Sequence, residues 1–573
     1  MAIKLTPKYL GELKKGVNTP NVVVELTLDS GVVRFGFWAG GPVITRFLAD
    51  GSYKADGTLF AWGSDEMPGV VPALKSVSSL QNKLDPKSGY STRGQLTFAI
   101  AGRENFKGLI KDEHLKNRRA LRKDGFISKG FTYSDYATTF AGKVLDWSRK
   151  GDELTVTVAD DLKSASSKLP VENSSKTQYI DYRSSNPADI MADMLLNRLS
   201  IGADYVDSSG FASERDRWLQ GWTFDRVLTE PREANEYLNE LQIETNSFIV
   251  HDGEKINFKV FAPPTPSETV EEWTDENNIL QDTLSIKSGY KDNFYNRIIV
   301  YYDYDESGSD KEENYEAAYI AADGESQDPS RWDEISTRVI KSKWIRTRTY
   351  TQANISGVKL YHVSKANGTG AGTLSYVKSA NTLSWTAPGG TAGEAIRLSK
   401  DGKYQLFDSD KTKYTRVIAV TGELPQADQN DTVSIAPLDG DKFASSLAQK
   451  ILNRYRDPVA AVSFDIDLNN AAFNSQFIRP ADIKDLTTDE AAGFGAEKWV
   501  KERVMLTSVR PDFTAHKVSC EAIETRMFRL YGFIAPAGFP DYQSASAEQR
   551  RWGFVGGADN KVNNAQADGY YIW

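Results

Sequence analysis

Cysteine is nearly absent: Cys520 stands alone among 573 residues. One thiol cannot build an intrachain disulfide framework, nor a cysteine-based zinc or iron–sulfur site within a single chain. Its setting, Val518-Ser519-Cys520-Glu521-Ala522, alternates like a strand, which predicts a buried small hydrophobe rather than a reactive thiol. Histidine is almost as scarce. His114, His251, His362 and His516 fall one per region, without a His-Glu-x-x-His or His-x-His spacing, so each is predicted as a surface or turn residue. No Gly-x-Ser-x-Gly elbow and no Walker loop occur, and the run Gly368, Gly370, Gly372 fails the dinucleotide fingerprint because Thr373 stands where its third glycine belongs. No apolar run approaches the ~20 residues of a membrane helix. The N-terminus, MAIKLTPKYLGELKKG, lacks the apolar stretch and cleavage site of a secretory signal, which predicts synthesis and folding in a cytoplasm.

What is present is ordinary core material. Hydrophobic residues make up 40%, aromatics 11% and charged residues 26% of the chain, and this length implies four or five domains at ~100–200 residues each. The net charge of −9 argues against a protein whose main task is gripping phosphates.

Periodicity divides the chain. Val22 to Phe37 predicts two strands around Asp29-Ser30-Gly31, and Leu96, Phe98 and Ile100 alternate in another. Asn105 to Asp124 reads as a basic helix, with His114, Lys116, Arg118, Arg119, Arg122 and Lys123 on a solvated face or subunit contact; no interleaved aromatics support base stacking. Phe140 to Pro170 predicts a hairpin turning at Arg149–Asp152, then a short helix capped by Asp160 and stopped by Pro170. Asn186 and Pro187 open a helix carrying Ile190, Met191, Met194, Leu195 and Leu199; another follows Pro231, and Phe248 to Phe261 forms a hairpin on Asp252-Gly253. Asn296 to Tyr304 is strand-like, the β pattern resumes at Lys343–Arg346, and helix Asp441–Arg456 precedes strands Val462–Leu468, Val504–Val509 and Lys517–Ile523.

Residues 353–440 differ in texture, with glycines separating short strand-like pieces, and read as an inserted small β-sandwich. Tyr361, Tyr376, Trp385 and Tyr404 are its candidate outward binding surface; core aromatics are the other reading. Asp303, Asp305, Glu306, Asp465 and Asp467 are the carboxylates open to nomination for glycoside hydrolysis, yet Asp465-Ile466-Asp467 also has the pattern of a strand's wet face. Arg526 to Trp573 is an aromatic-rich arm, predicted to pack along its own domains or a neighbouring subunit.

The order of these pieces resembles the tail hub (baseplate hub or tail tip) proteins of long-tailed bacteriophages and gene transfer agents. The marks are LTLDSGVVRF (Leu26–Phe35), FAGKVLDW leading to VADDLKSASSKLP, NPADIM (Asn186–Met191), NRIIVYYDY (Asn296–Tyr304), KSKWI (Lys341–Ile345), LAQKILNRYRDPVAAVSFDIDL (Leu447–Leu468), MLTSVRPDF (Met505–Phe513) and the closing Tyr531–Val555. The resemblance implies a mainly β, multidomain fold with α+β parts and two tube-like β-barrel domains. Residues 1–172 would form the first barrel, 173–285 an α+β hub module, 286–352 with 441–525 the second, discontinuous barrel, and 526–573 the arm. It implies a homotrimeric virion protein that joins a sixfold tail tube to a threefold tip, touches a distal tail or tube protein, the tape-measure protein and tip or fibre proteins, and lets DNA pass without specific binding or membrane insertion. The cysteines with which some relatives hold an iron–sulfur cluster are missing, so no cofactor, metal or catalytic residue is expected. A host-surface adhesin and a cell-wall or capsule hydrolase are the rival readings.

Overall fold

The computed structural model describes residues 5–15, 18–37, 69–80, 82–85, 90–92, 94–128, 130–171, 176–264, 269–287, 293–305, 310–350, 435–473, 476–490 and 498–526, seven strands between 360 and 421, Ser544, and three short strands from 532 to 572. It is mainly β.

In Pro20–Leu28 the side chains of Val24, Leu26 and Leu28 share one face and a buried core with Leu96, Phe98, Ile100, Phe140, Val144, Leu154, Val156 and Val158. The hairpin to Gly31–Gly36 turns at Gly31, whose φ of 129° lies where glycine is favoured. Eight strands line up as Val70–Val71, Gly31–Gly36, Pro20–Leu28, Arg119–Phe126, Ala137–Lys150, Glu153–Asp160, Gln95–Ala101 and Leu74–Val77. The first and last of these are successive pieces of one segment, separated by Pro72 and Ala73, so 70–77 hydrogen-bonds to both margins of the sheet.

A second sheet runs Glu272–Thr274, Ile483–Thr488, Trp499–Asp512, Lys517–Glu524, Ala461–Asp467, Ser285–Lys287. Its central four strands repeat the topology of the first. Gln95–Ala101, Arg119–Phe126, Ala137–Lys150 and Glu153–Asp160 follow one another in the chain but lie side by side as second, third, fourth, first; Ala461–Asp467, Ile483–Thr488, Trp499–Asp512 and Lys517–Glu524 do the same, every neighbour antiparallel. Both first strands have 7 residues, both third strands 14 and both fourth strands 8. Against its fourth strand each long strand carries a β-bulge, at Leu145 and at Thr507, which is the same position when the strands are aligned end to end.

Along the chain, a central module comes between the strands of the two sheets. Asn186 accepts the Ala188 N–H at 3.0 Å and Pro187 opens the helix Pro187–Asp193. With helices Ser208–Trp218 and Ala234–Thr245 and the hairpin Ser247–His251/Ile256–Val260, it encloses a large buried cluster. That cluster also takes in Ile298, Val300, Tyr302, Ile340 and Trp344, and Phe443 to Tyr455 of the helix Gly440–Tyr455. Strands Tyr315–Ala322, Arg297–Tyr304 and Thr337–Lys341 form a separate three-stranded sheet under that helix, while Glu272–Thr274 belongs to the second large sheet. Sheet membership therefore crosses the boundary drawn at 285/286.

Other sequence expectations are revised. The basic stretch 105–124 is a helix only over Arg103–Lys111 and becomes the strand Arg119–Phe126. After Asp160 comes a 3-10 turn, Asp161–Ser166, because Lys168–Leu169 is drawn into a short strand pair with Arg232–Glu233. Lys343–Arg346 is a turn rather than a strand, and Trp344 in it is fully buried. The insertion is one antiparallel sheet whose margin is Lys176–Gln178, and its two chain ends pair as Arg348–Tyr350 with Ile435–Pro437. Strands Gly532–Ile534, Phe554–Val555 and Tyr570–Ile572 of the arm form a small sheet, with Tyr570–Ile572 against the helix Ser208–Trp218. Among the described residues no helix is long and apolar enough to cross a membrane.

Candidate functional site

Three of the five nominated carboxylates, Asp303, Asp465 and Asp467, have structural occupations. Asp303 is buried at φ 55° and accepts hydrogen bonds from the Thr347 amide at 2.8 Å and hydroxyl at 2.7 Å. Asp465 pairs with Lys517 Nζ at 2.6 Å, and Asp467 accepts the Asn469 amide at 2.9 Å. Glu306 lies outside the described residues, and among those described no group of three or more His, Cys, Asp or Glu is placed to hold a metal. Cys520 is buried, and burial pushes its thiol up, as expected of a packed strand residue.

Tyr361, Tyr376, Trp385 and Tyr404 lie on described strands, and their side chains fall outside what is described. Register relates their positions. Tyr361 is opposite Leu374, Leu374 opposite Trp385, Tyr376 opposite Leu383 and Arg397 opposite Tyr404. With Gly393 opposite Trp385, period-two alternation puts all four aromatic positions on one face together with Leu374, Leu383 and Leu406, and sets Thr373, Ser375, Ser384 and Gln405 on the other. The four positions thus share one face of the sheet, with Arg397 also on it and Val377, Ile396 and Phe407 on the other.

The described residues converge instead on the seam between the two sheets. Thr6 accepts the Tyr9 N–H at 3.1 Å and caps the helix Pro7–Leu13, which lays Tyr9 and Leu13 into a core shared by both repeats. Val23, Phe126, Phe131, Tyr136 and Ala137 come from the first, and Trp273, Phe464, Leu506, Val509, Phe513 and Val518 from the second. Tyr9 meets Phe126 edge-on at 5.1 Å, and Phe126 meets Phe513 at 6.5 Å across the seam. Tyr136 accepts from Asn21 Nδ2 at 2.9 Å, and burial pushes its phenol up to about 12. Val22-Val23-Val24, apolar on consecutive positions, was the sequence signal that this strand is covered on both faces.

Backbone reinforces the seam. The hairpin Asn82–Asp85/Tyr90–Thr92, on the connection between two strands of the first sheet, crosses over and pairs with the long strand of the second, Lys83 opposite Ser508 and Asn82 opposite Val509. This is strand addition within one chain. Leu84, 1% exposed, drops from the same hairpin into the central core.

A polar junction ties in the central module. Arg119 holds Asp161 through both carboxylate oxygens at 2.6 Å while its guanidinium lies 3.4 Å from the centre of the Tyr205 ring. Arg122 forks onto Asp124 at 2.7–3.2 Å, and Thr139 also donates to Asp124. His251, predicted to lie at the surface or in a turn, is buried at the end of its hairpin strand: Nδ1 accepts the Gly253 N–H at 3.0 Å, Nε2 stands 4.0 Å from Asp161, and the ring stacks on Phe140. Asp252 accepts from Lys255 N at 2.8 Å and Asn257 Nδ2 at 2.8 Å, with Arg479 of the second repeat 3.5 Å away. Within the module, Glu240 receives Arg226 at 2.6 Å, Arg232 at 2.9 Å and Trp344 Nε1 at 3.0 Å. Burial pushes the Glu240 carboxyl up, but the two arginines outweigh it and hold it below its ordinary value. None of these clusters presents a nucleophile, a base and an open substrate position together.

No protein-family model matches the chain, and no curated protein matches its sequence. Among solved structures, a 43 kDa tail protein of prophage MuSo2 from Shewanella oneidensis aligns over 89% of this chain and 99% of its own, with 7% identity and a TM-score of 0.38. The tail protein from Neisseria meningitidis MC58 aligns over 88% and 96%, with 8% identity and a TM-score of 0.38. A chain of the virion of a native gene transfer agent particle aligns over 31% and 51%, with 14% identity and a TM-score of 0.20. Overlaps this loose neither fix the fold nor carry a role across.

Proposed function

We propose that the chain is a structural virion protein, a trimeric tail hub that joins a sixfold tube to a threefold tip and lines part of the passage for DNA. The observation that carries this reading is the topological repeat. Two sheets of the same strand order, joined by a shared core and by strand addition, are two similar units in one polypeptide, and three copies supply six such units around one axis. A protein with that content matches a sixfold partner on one side and a threefold partner on the other. The segment 70–77, bonded to both margins of the first sheet, supports a barrel-like closure of that unit, and closure removes free strand edges.

The hub's partners in this reading are a distal tail or tube protein, the end of the tape-measure protein and a tip or fibre protein, and its place is the tail tip of a virion. Three chains of −9 bring −27, which disfavours adhesion of passing DNA. The shared core and the crossing hairpin of the seam serve to keep the two units at a fixed angle. Light scattering on the purified chain at rising concentration tests the reading: a mass of three chains is expected, and a single-chain mass at every concentration contradicts it.

A further inference from the structure

The two repeats differ at one place that their topology makes comparable. End-to-end alignment of Ala137–Lys150 with Trp499–Asp512 sets Leu145, Asp146 and Trp147 against Thr507, Ser508 and Val509. In the second repeat all three are buried, Val509 to 3% exposure, where the backbone of Asn82 and Lys83 pairs with Val509 and Ser508. In the first repeat all three are exposed, Leu145 at 39% and Trp147 at 37%. The strand margin itself is equivalent. The second strand of each repeat stops pairing with the long strand at aligned positions, Lys143 and Met505, and beyond Lys143 no described strand takes the place that Asn82–Asp85 takes beyond Met505. The Trp147 amide, aligned with the Val509 position that faces Asn82, bonds to the neighbouring Asp146 carboxylate at 2.8 Å.

We propose that the edge Asp146–Trp147, with Leu145 and Trp147 as its apolar anchors, is the docking site for an extended segment of a second copy of this chain, added as Asn82–Asp85 is added to the second repeat within one copy. The occupant follows from the order of units. Strand addition inside the chain joins the first repeat to the second; in a closed ring the second repeat of one copy next meets the first repeat of another, so the same step recurs between copies with the donor supplied by the second repeat. The donor in the first repeat lies on the connection from Leu74–Val77 to Gln95–Ala101, and the corresponding connection of the second repeat runs from Lys287 to Ala461. Arg149 and Lys150 add a basic rim to a chain of net charge −9, a sign that favours acceptance of another copy. This inference rests on the ring reading above.

The test is the full chain with p-benzoylphenylalanine in place of Trp147, irradiated at a concentration where light scattering shows association, beside the variants Trp147→Arg and Leu145→Arg. The expected result is a light-dependent species of two chain masses, its cross-linked peptide mapping to residues 288–350 or 435–460, and an association midpoint raised about tenfold or more by either arginine without a change in the thermal unfolding of the dilute protein. Association that persists unchanged in both variants, with no cross-link between copies from position 147 or with cross-links only inside one chain, overturns the inference and leaves the ring reading standing. A wild-type chain that stays single at every concentration overturns both.

Discussion

Residue by residue, the cost of this architecture is concentrated in a few buried ions. Lys450, 8% exposed on the helix Gly440–Tyr455, has its ammonium 5.4 Å from the centre of the Trp222 ring, and burial pulls it down from 10.5 to about 8. The sign of its contribution follows. Between pH 8 and 10.5 the folded chain binds fewer protons than the unfolded one, so stability rises with pH through that window, and below it the buried charge is a standing cost. Lys450→Met is expected to stabilise the protein at pH 7 by up to about 3 kcal/mol, from 1.36 kcal/mol per pKa unit, and the gain should fade by about pH 10.5. Denaturant unfolding of both proteins across that range checks it; a gain that does not depend on pH would assign the effect to packing alone.

Arg122 and Asp124 show why part of the fold was hidden in the sequence. They occupy inward positions of the strand Arg119–Phe126, which alternates in burial but not in hydrophobicity because an ion pair fills the inside. Charged residues at that spacing read as a basic helix, and only the preceding Arg103–Lys111 is one. His251 misled for a related reason: inside the fold its Nδ1 accepts the Gly253 N–H and its ring stacks on Phe140, and the stacking partner is not visible in local sequence.

Elements that carry their own signals were legible. The hairpin at Asp252-Gly253, the Asn186 cap with Pro187, and the strands at Leu96–Ile100 and Lys517–Ile523 stand where the pattern put them. The repeat was not legible, because the aligned long strands ATTFAGKVLDWSRK and WVKERVMLTSVRPD share no residue at any position; what they share is length, register and bulge. The candidate aromatics of the insertion were grouped by composition, and register adds that all four positions fall on one face of its sheet. Two substitutions test elements. Leu84→Ala empties the anchor of the crossing hairpin and should destabilise the fold by about 2–4 kcal/mol, with hydrogen exchange rising at Ser508 and Val509 before it rises elsewhere. Gly440→Ala improves intrinsic helix propensity by about 1 kcal/mol, yet its Cβ would meet the Arg346 carbonyl carbon and oxygen at 2.4 Å. A lower melting temperature is therefore expected, and a higher one would show that the helix start yields.

For the whole molecule, the insertion and the repeats are separable by design of the chain. Arg348–Tyr350 pairs with Ile435–Pro437, so both ends of the insertion leave from one place. Replacing residues 351–434 with an Asn-Gly turn is expected to leave the mass in solution and the unfolding of the remainder unchanged. A monomeric product would put the insertion inside the assembly interface.

The central claim is that duplication within the chain supplies six similar units from three copies. It is tested most directly by end-on electron-microscopy class averages of the purified full-length protein. A closed ring with threefold symmetry and a strong sixfold component in its rotational spectrum is predicted; particles of one chain without rotational symmetry, or rings with no sixfold component, would contradict it.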